Sequence, residues 1–334
     1  MLGNFAVRIV ISAFQPRQSP TILDVLCFHR VLAAPDPFRR DCPTSTQFRQ
    51  LLTFYKKFST ILSLEDGLNA VLSERRPGLF TAVTFDDGYK DNIDVALPIL
   101  SEAGIRPTIF IASRFLNGPM MFNDIVDESI RTTNLNEICI DDLLDSPLSL
   151  KTIELRIIAA ELLNRKIKYL PPVERDRYAE KIAVVSGFNT RTALTLTESE
   201  LQRADTQAFD LGGHSHNHLI ATTVSEAAFK EDIGKNKLYL ENLVQKSLHC
   251  FAYPNGTPGR DFLPVHEKIV RDIGYRYGFS AEKELILPRS NRFALPRFTP
   301  WGHNNVAALR QIIGALKGVS CSTELSKRRA IETT

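Results

Sequence analysis

Apolar residues along this chain recur in two alternating patterns. Ile22–Phe28 is a continuous apolar run broken only by Asp24, and Leu79–Phe85 and Thr108–Ala112 are two more. Short unbroken runs of this kind read as strands buried on both faces. Ser59–Leu64 is a further strand candidate. Between these runs the spacing becomes helical. Thr44–Lys57 puts Phe48, Leu51, Leu52 and Tyr55 on one face, with Thr46 as its expected cap. A second helix runs from its cap Ser63 to Leu72, and Asp66 stands where a full capping box carries Glu or Gln. Asp91–Ala103 turns Ile93, Ala96, Leu97 and Leu100 inward, and Gly104 ends it. Strand and helix thus alternate about every 25–30 residues, the βα pattern of a parallel sheet or barrel.

The rhythm breaks from about Asn117 to Asp205. This stretch carries helical patterns at Leu150–Leu163 and Glu174–Val185, a loop at Gly187–Thr197, and a short helix begun by Thr197 with Glu200. It shows no strand of its own, so it reads as a helical insertion (117–205). The rhythm then resumes. Phe209–Gly212, Leu248–Tyr253, Tyr275–Ser280 and Phe293–Phe298 are strand candidates. Ser225–Val244, Pro264–Ile273 and Asn305–Lys317 are helices. About eight strand candidates with a comparable number of helices suit a barrel. The expected organisation is an N-terminal surface segment at 1–20, a barrel over 21–317 and a polar tail at 318–334.

Composition narrows the function classes. The chain has 334 residues, 43% of them hydrophobic and 24% charged, which is ample for a soluble core. A net charge of +3, with no basic runs interleaved with aromatics, argues against nucleic acid. Five cysteines, none in a Cys-x-x-Cys pair, argue against a disulfide framework. The apolar part of 1–20 is short and interrupted by Arg8, with no signal-peptide pattern, and nothing approaches a membrane span. The expected location is cytoplasmic.

Three stretches carry candidate chemistry. Thr84-Phe85-Asp86-Asp87-Gly88 ends a buried strand with two adjacent carboxylates, costly there without a partner. Asp-Gly is also an ordinary strand-ending turn. His214-Ser215-His216-Asn217-His218 gathers three of the seven histidines within five residues. On a helical turn His214 and His218 share a face; in an extended chain all three do. Asp87 with His214 and His218 makes a two-histidine, one-carboxylate set with open positions, suited to zinc hydrolysis or to non-haem iron. A free Asp86 beside it is what a hydrolase needs as general base. Phe251-Ala252-Tyr253-Pro254-Asn255-Gly256 is a restricted loop after a strand. It is either a tight turn or a place where a backbone N–H is aimed at an oxyanion.

Together, Thr84–Gly88, His214-Ser215-x-x-His218 and Tyr253-Pro254-x-Gly256 resemble the first three motifs of the polysaccharide deacetylase family. This is carbohydrate esterase family 4, built on the NodB homology domain. The resemblance covers about Ile22 to Phe298. It implies a distorted (β/α) barrel of about seven strands that removes N- or O-acetyl groups from a carbohydrate polymer or oligomer with one divalent metal ion, zinc foremost. It implies Asp86 as general base, Asp87, His214 and His218 as metal ligands, and the Tyr253 N–H, with Pro254 and Gly256 shaping the loop, as oxyanion donor. Many members begin the third motif with an arginine where this chain has Phe251; Arg297 in Leu295-Pro296-Arg297-Phe298 is the candidate to supply that charge. No clear match exists to the late motifs, one of which normally supplies the general acid. His29, in a stretch resembling the Tyr-His-x-Val of the exopolysaccharide and poly-N-acetylglucosamine deacetylases, and His303 are the two candidates. Trp301 either stacks on a sugar or plugs the barrel mouth. The missing late motifs keep a rival open, a non-catalytic glycan-binding barrel; an iron oxygenase is a third reading.

Overall fold

In the computed structural model, the described residues are 21–73, 77–190, 194–203, 208–300 and a few positions between 309 and 316. The expected terminal segments, Trp301, His303 and most of the expected closing helix lie outside them. Among the described residues nine strands follow in chain order: β1 Thr21–Phe28, β2 Thr60–Ile61, β3 Gly78–Phe85, β4 Thr108–Ile111, β5 Glu137–Ile138, β6 Leu148–Ser149, β7 Asp210–Gly213, β8 Cys250–Ala252 and β9 Tyr277–Phe279. The helices are α1 Ser45–Tyr55, α2 Leu64–Leu72, α3 Leu97–Glu102, α4 Phe122–Thr132, α5 Ile153–Ile167, α6 Pro172–Ser186, α7 Glu198–Arg203, α8 Glu226–Val244 and α9 Pro264–Asp272.

Seven strands form one curled parallel sheet in the order β1-β3-β4-β7-β8-β9, with β2 beside the first half of β3. The gap from β9 back to β1 is spanned by irregular chain. Leu295 bridges Phe279, Phe298 bridges Leu26, and Ile286 bridges Leu23. The result is the expected distorted (β/α) barrel. The expected strand Phe293–Phe298 is therefore replaced by single bridges. Pro296, which has no N–H to give a ladder, sits in the middle of it. Alternation along β1 explains the unbroken apolar run. Leu23 and Val25 pack with Phe110, Ala252 and Phe279, while Ile22, Leu26 and Phe28 pack with Phe48 and Leu52 of α1. Asp24 is the exception; burial pushes its carboxyl up to about 7.

Several local expectations need correction. Thr44, not Thr46, caps α1: its Oγ1 accepts from the Gln47 N–H, and Gln47 Oε1 accepts from the Thr44 N–H. The strand expected over Ser59–Leu64 shrinks to Thr60–Ile61, because Ser63 leaves it to cap α2. The helix expected from Asp91 begins as a π-turn, Asn92–Ala96, in which the Leu97 N–H donates to the Asn92 carbonyl. Pro98 follows, with no N–H for the ordinary four-residue bond. The segment between β4 and β7 does contain strands: β5 and β6 pair antiparallel. Two-residue strands carry no readable period. This segment has its own apolar cluster, centred on Ile130, Leu163, Ile167, Ala179 and Ile182 of α4, α5 and α6. Among the described residues no helix is long and apolar enough to cross a membrane.

Candidate active site

Parallel strands all end at the same side of the sheet, so residues that directly follow them meet there. Asp86 and Asp87 follow β3, His214 follows β7, and Tyr253 follows β8. Backbone bonds fix these ends: the Asp86 N–H donates to Phe28 O at 2.9 Å, and the His214 N–H to Ile111 O at 3.0 Å. Directly after the sheet the chain turns sharply. Asp87 (φ 74°), Ser215 (60°), His218 (50°) and Asn255 (60°) all hold left-handed backbone conformations. Four non-glycine residues of this kind at one rim are a concentration of backbone strain. Gly88 continues the first turn at φ +79°, where an added Cβ would stand 2.7 Å from Ile111 Cδ1. Gly213 is needed for closeness: its added Cβ would lie 2.6 Å from Asn236 Oδ1.

The His214–His218 stretch is neither helix nor strand, so neither face-sharing rule applies. His214 Nε2 and His218 Nε2 stand 3.4 Å and 3.3 Å from Asp87 Oδ1. One donor atom from each of the three lies within 4.8 Å of the others. His214 Nδ1 is 2.8 Å from the Ala252 carbonyl. A carbonyl only accepts, so Nδ1 carries the proton and Nε2 keeps its lone pair. Asp87 Oδ1 is buried and has no hydrogen-bond donor. A buried carboxylate oxygen and two imidazole lone pairs aimed at one point fit a divalent cation. Burial pushes the Asp87 carboxyl up, but the two histidines outweigh it and hold it well below the usual carboxylate range. His216 turns away, with Nδ1 2.9 Å from Ser113 Oγ.

Asp86 has different company. Arg297 Nη1 donates to Oδ1 at 2.7 Å and Nη2 to Oδ2 at 2.8 Å, a two-pronged contact between buried groups. Cys27 Sγ is 3.5 Å from Oδ2. Burial raises the Asp86 carboxyl; Arg297 and then His214 reverse this and bring it to about 2. Arg297 is delivered by the same irregular segment that closes the sheet, and its Nε donates to Ser280 O at 3.3 Å. Phe251, where the resemblance calls for a basic residue, is fully buried against Phe229, Tyr253 and Tyr275.

The Tyr253 expectation does not hold. Its N–H donates to Phe279 O at 3.1 Å, because the β8–β9 ladder runs one residue past the strand. Its ring stacks on Phe262, with centroids 3.8 Å apart. Pro254 has no N–H, and the Gly256 N–H turns back to Pro254 O at 2.8 Å. The Asn255 N–H makes no hydrogen bond among the described residues, and Asn255 lines the cavity over the metal set. His29 is exposed at the mouth of that cavity, its carbonyl accepting from Asn92 Nδ2 at 2.8 Å.

Sequence reasoning missed the residues that hold the histidine loop. Asp232 of α8 accepts from the His216 N–H at 2.6 Å and from Asn217 Nδ2 at 2.5 Å. Asn236, one turn on, donates to Ile111 O, Ser113 Oγ and Ser215 O. The available signal was two polar residues, four apart, on an otherwise inward helix face.

A cavity of about 450 Å³ opens over Asp86, Asp87 and the two histidines, within the range of small-ligand sites. A second of about 650 Å³ adjoins it, and both are lined by His29, Asp87, Asn123, Asn164 and Lys168. The two form one groove between the rim and the helical segment.

Residues 178–278 match the polysaccharide deacetylase family model. The poly-beta-1,6-N-acetyl-D-glucosamine N-deacetylase of Staphylococcus aureus (strain MSSA476) is 35% identical over 94 residues, 28% of this chain. The match spans about a third (31%) of that relative's length. Among solved structures, the Streptococcus pyogenes deacetylase PplD aligns with TM-score 0.57 at 15% identity, covering 88% of this chain and 99% of that one. IcaB from Ammonifex degensii aligns with TM-score 0.52 at 17% identity, covering 90% and 98%. These likenesses share the barrel. Over residues 178–278 the chain is thus similar to the polysaccharide deacetylases, and its barrel as a whole is similar to PplD and IcaB.

Proposed function

We propose that this chain is a metal-dependent hydrolase that removes N-acetyl groups from an acetylated glycan, with residues 117–205 as a helical insertion into the barrel. The observation that carries the reading is the division of labour between adjacent carboxylates. Asp87 is aimed with His214 and His218 at one point, while Asp86 is held away from it by Arg297. Asp87, His214 and His218 hold the ion, zinc in the first instance. A divalent cation there supplies Lewis-acid polarisation of the acetyl carbonyl and of the attacking water.

The chain's own residues do the rest. Asp86 takes the proton from the attacking water; Arg297 keeps it ionised and fixes its direction. The Asn255 N–H, in place of that of Tyr253, donates to the oxygen of the tetrahedral intermediate. His29 gives a proton to the departing amine, from its place at the cavity mouth. Pro254 and Gly256 hold the Asn255 turn. The relatives' printed names support a β-linked N-acetylglucosamine polymer as the type of substrate.

Acetate release from N-acetylglucosamine oligomers, measured on the full chain with its metal content determined, tests this. Expected is release that stops on chelation and returns with zinc. Oligomer binding without release would point instead to a non-catalytic barrel, and oxygen-dependent turnover to an iron oxygenase.

A further inference from the structure

The wall of the groove contains a feature that the deacetylase chemistry does not use. Asn164 and Lys168 are one helical turn apart at the end of α5, so they share a face, and both line the two adjoining cavities. Asn164 Nδ2 donates to Asp127 Oδ1 at 2.8 Å, which leaves its carbonyl oxygen for another partner. That carbonyl, Oδ1, is buried and has no donor. It is an acceptor waiting for a hydroxyl or amide N–H. Lys168 is half-buried, and burial lowers its ammonium from the ordinary lysine range. It makes no ion pair among the described residues. Asp261 exerts the nearest attraction, but that carboxylate is already taken by Arg260, the Tyr169 hydroxyl and the Thr257 N–H.

The cation is out of place for a neutral glycan. In the cavity Asp86 is neutralised by Arg297, and Asp87 faces the metal set. Lys168 is thus left as positive charge over a site whose product is an ammonium, while Asp41, Asp124, Asp127 and Glu161 line the adjoining cavity. A polymer with no acidic groups offers it no counter-charge and is opposed by it as amines accumulate. A sugar with an anionic substituent reverses both effects.

Resting on the deacetylase reading, we infer that the α5 face of Asn164 and Lys168 is a recognition subsite for an anionic sugar, carrying carboxylate or phosphate, next to the acetylated residue. Asn164 Oδ1 accepts from that sugar, and the Lys168 ammonium pairs with its charge.

The test measures binding of three oligomers to the full metal-loaded chain by calorimetry: a neutral N-acetylglucosamine oligomer, one alternating with glucuronic acid, and one bearing phosphate. At low salt at least one acidic oligomer should bind about tenfold tighter than the neutral one, and the gap should close as salt rises. K168M should remove the gap between the acidic and the neutral oligomers. Whichever acidic probe gains more identifies the substituent. Equal or weaker binding of both acidic probes, absent binding of all three, or a gap that survives K168M overturns the inference. Acetate release, followed in parallel, separates the two readings. Acidic preference without acetate release sinks the deacetylase assignment and leaves the subsite; release with no acidic preference does the reverse.

Discussion

The floor of the groove and its wall are made differently. On the floor, Asp86 and His214 each follow a strand directly and are fixed by backbone hydrogen bonds to neighbouring strands. On the wall, side chains reach in from α4 and α5 and are held by other side chains: Arg39 with Asp124 at 3.0 Å, and Asn164 with Asp127 at 2.8 Å. Sheet register places the floor, so its geometry survives changes in the packing around it. The wall depends on longer, individually replaceable contacts. This difference suits chemistry on the floor and substrate choice on the wall.

The sharpest way to sharpen the contrast is within the floor. Asp86→Asn should cut acetate release by about a hundred- to ten-thousand-fold, with metal content unchanged. Asp87→Asn should lose the metal as well. Metal analysis with turnover checks the pair; loss of metal in Asp86→Asn would mean that the carboxylates share one role.

Arg297→Met comes next. It leaves Asp86 buried without its counter-charge, which should cost about 3–5 kcal/mol of stability. The double variant with Asp86→Asn should recover most of that, since the amide needs no counter-charge. Chemical denaturation reads both; a single variant as stable as the parent would remove Arg297 from the floor.

Leu163→Ala tests the wall. This residue is fully buried in the separate cluster of the helical segment, so the change should cost about 2–5 kcal/mol there. Hydrogen exchange should speed up in α4, α5 and α6 while β1 and β3 stay protected. Equal loosening of both would show one cooperative unit.

The floor was legible in the sequence and the wall was not. Parallel strands covered on both faces leave unbroken apolar runs, so Ile22–Phe28 and Leu79–Phe85 announced themselves, and with them the strand end where Asp86 and Asp87 stand. Asp86, Asp87, His214 and His218 stand within a residue or two of such ends, or on the turn that follows. What failed depended on contacts between distant residues or on backbone detail. The Arg297–Asp86 contact, which joins residues 211 apart, was reached through the resemblance and not through periodicity, and the strand expected to carry Arg297 is a bridge. Whether Tyr253 or Asn255 offers a free N–H depends on where the β8–β9 ladder stops, which periodicity does not carry. The β5–β6 hairpin is too short for any pattern, and the π-turn at Asn92 shows in sequence only as Pro98.

Arg175 tests where the contrast stops. It belongs to α6, on the wall side, yet it is 2% exposed and its Nη1 and Nη2 donate to the carbonyls of His218 and Asn217, both at 3.3 Å. Its guanidinium lies 4.5 Å from the centre of the Phe122 ring. The helical segment thus grips the backbone of a floor histidine at the point where that backbone is strained, with His218 at φ 50°. Contacts of this kind orient a metal-binding histidine, and removing one typically costs about 10- to 100-fold in metal affinity. Arg175→Met, which keeps the apolar stem over Phe122, should therefore weaken zinc binding by about that factor in competition with a chromophoric chelator. Arg175→Lys should restore part of it by reaching one carbonyl. Unchanged affinity would leave the floor self-sufficient. The expected loss would make the helical segment part of the metal site's support, and would explain why the wall cannot drift far while it adapts to a substrate.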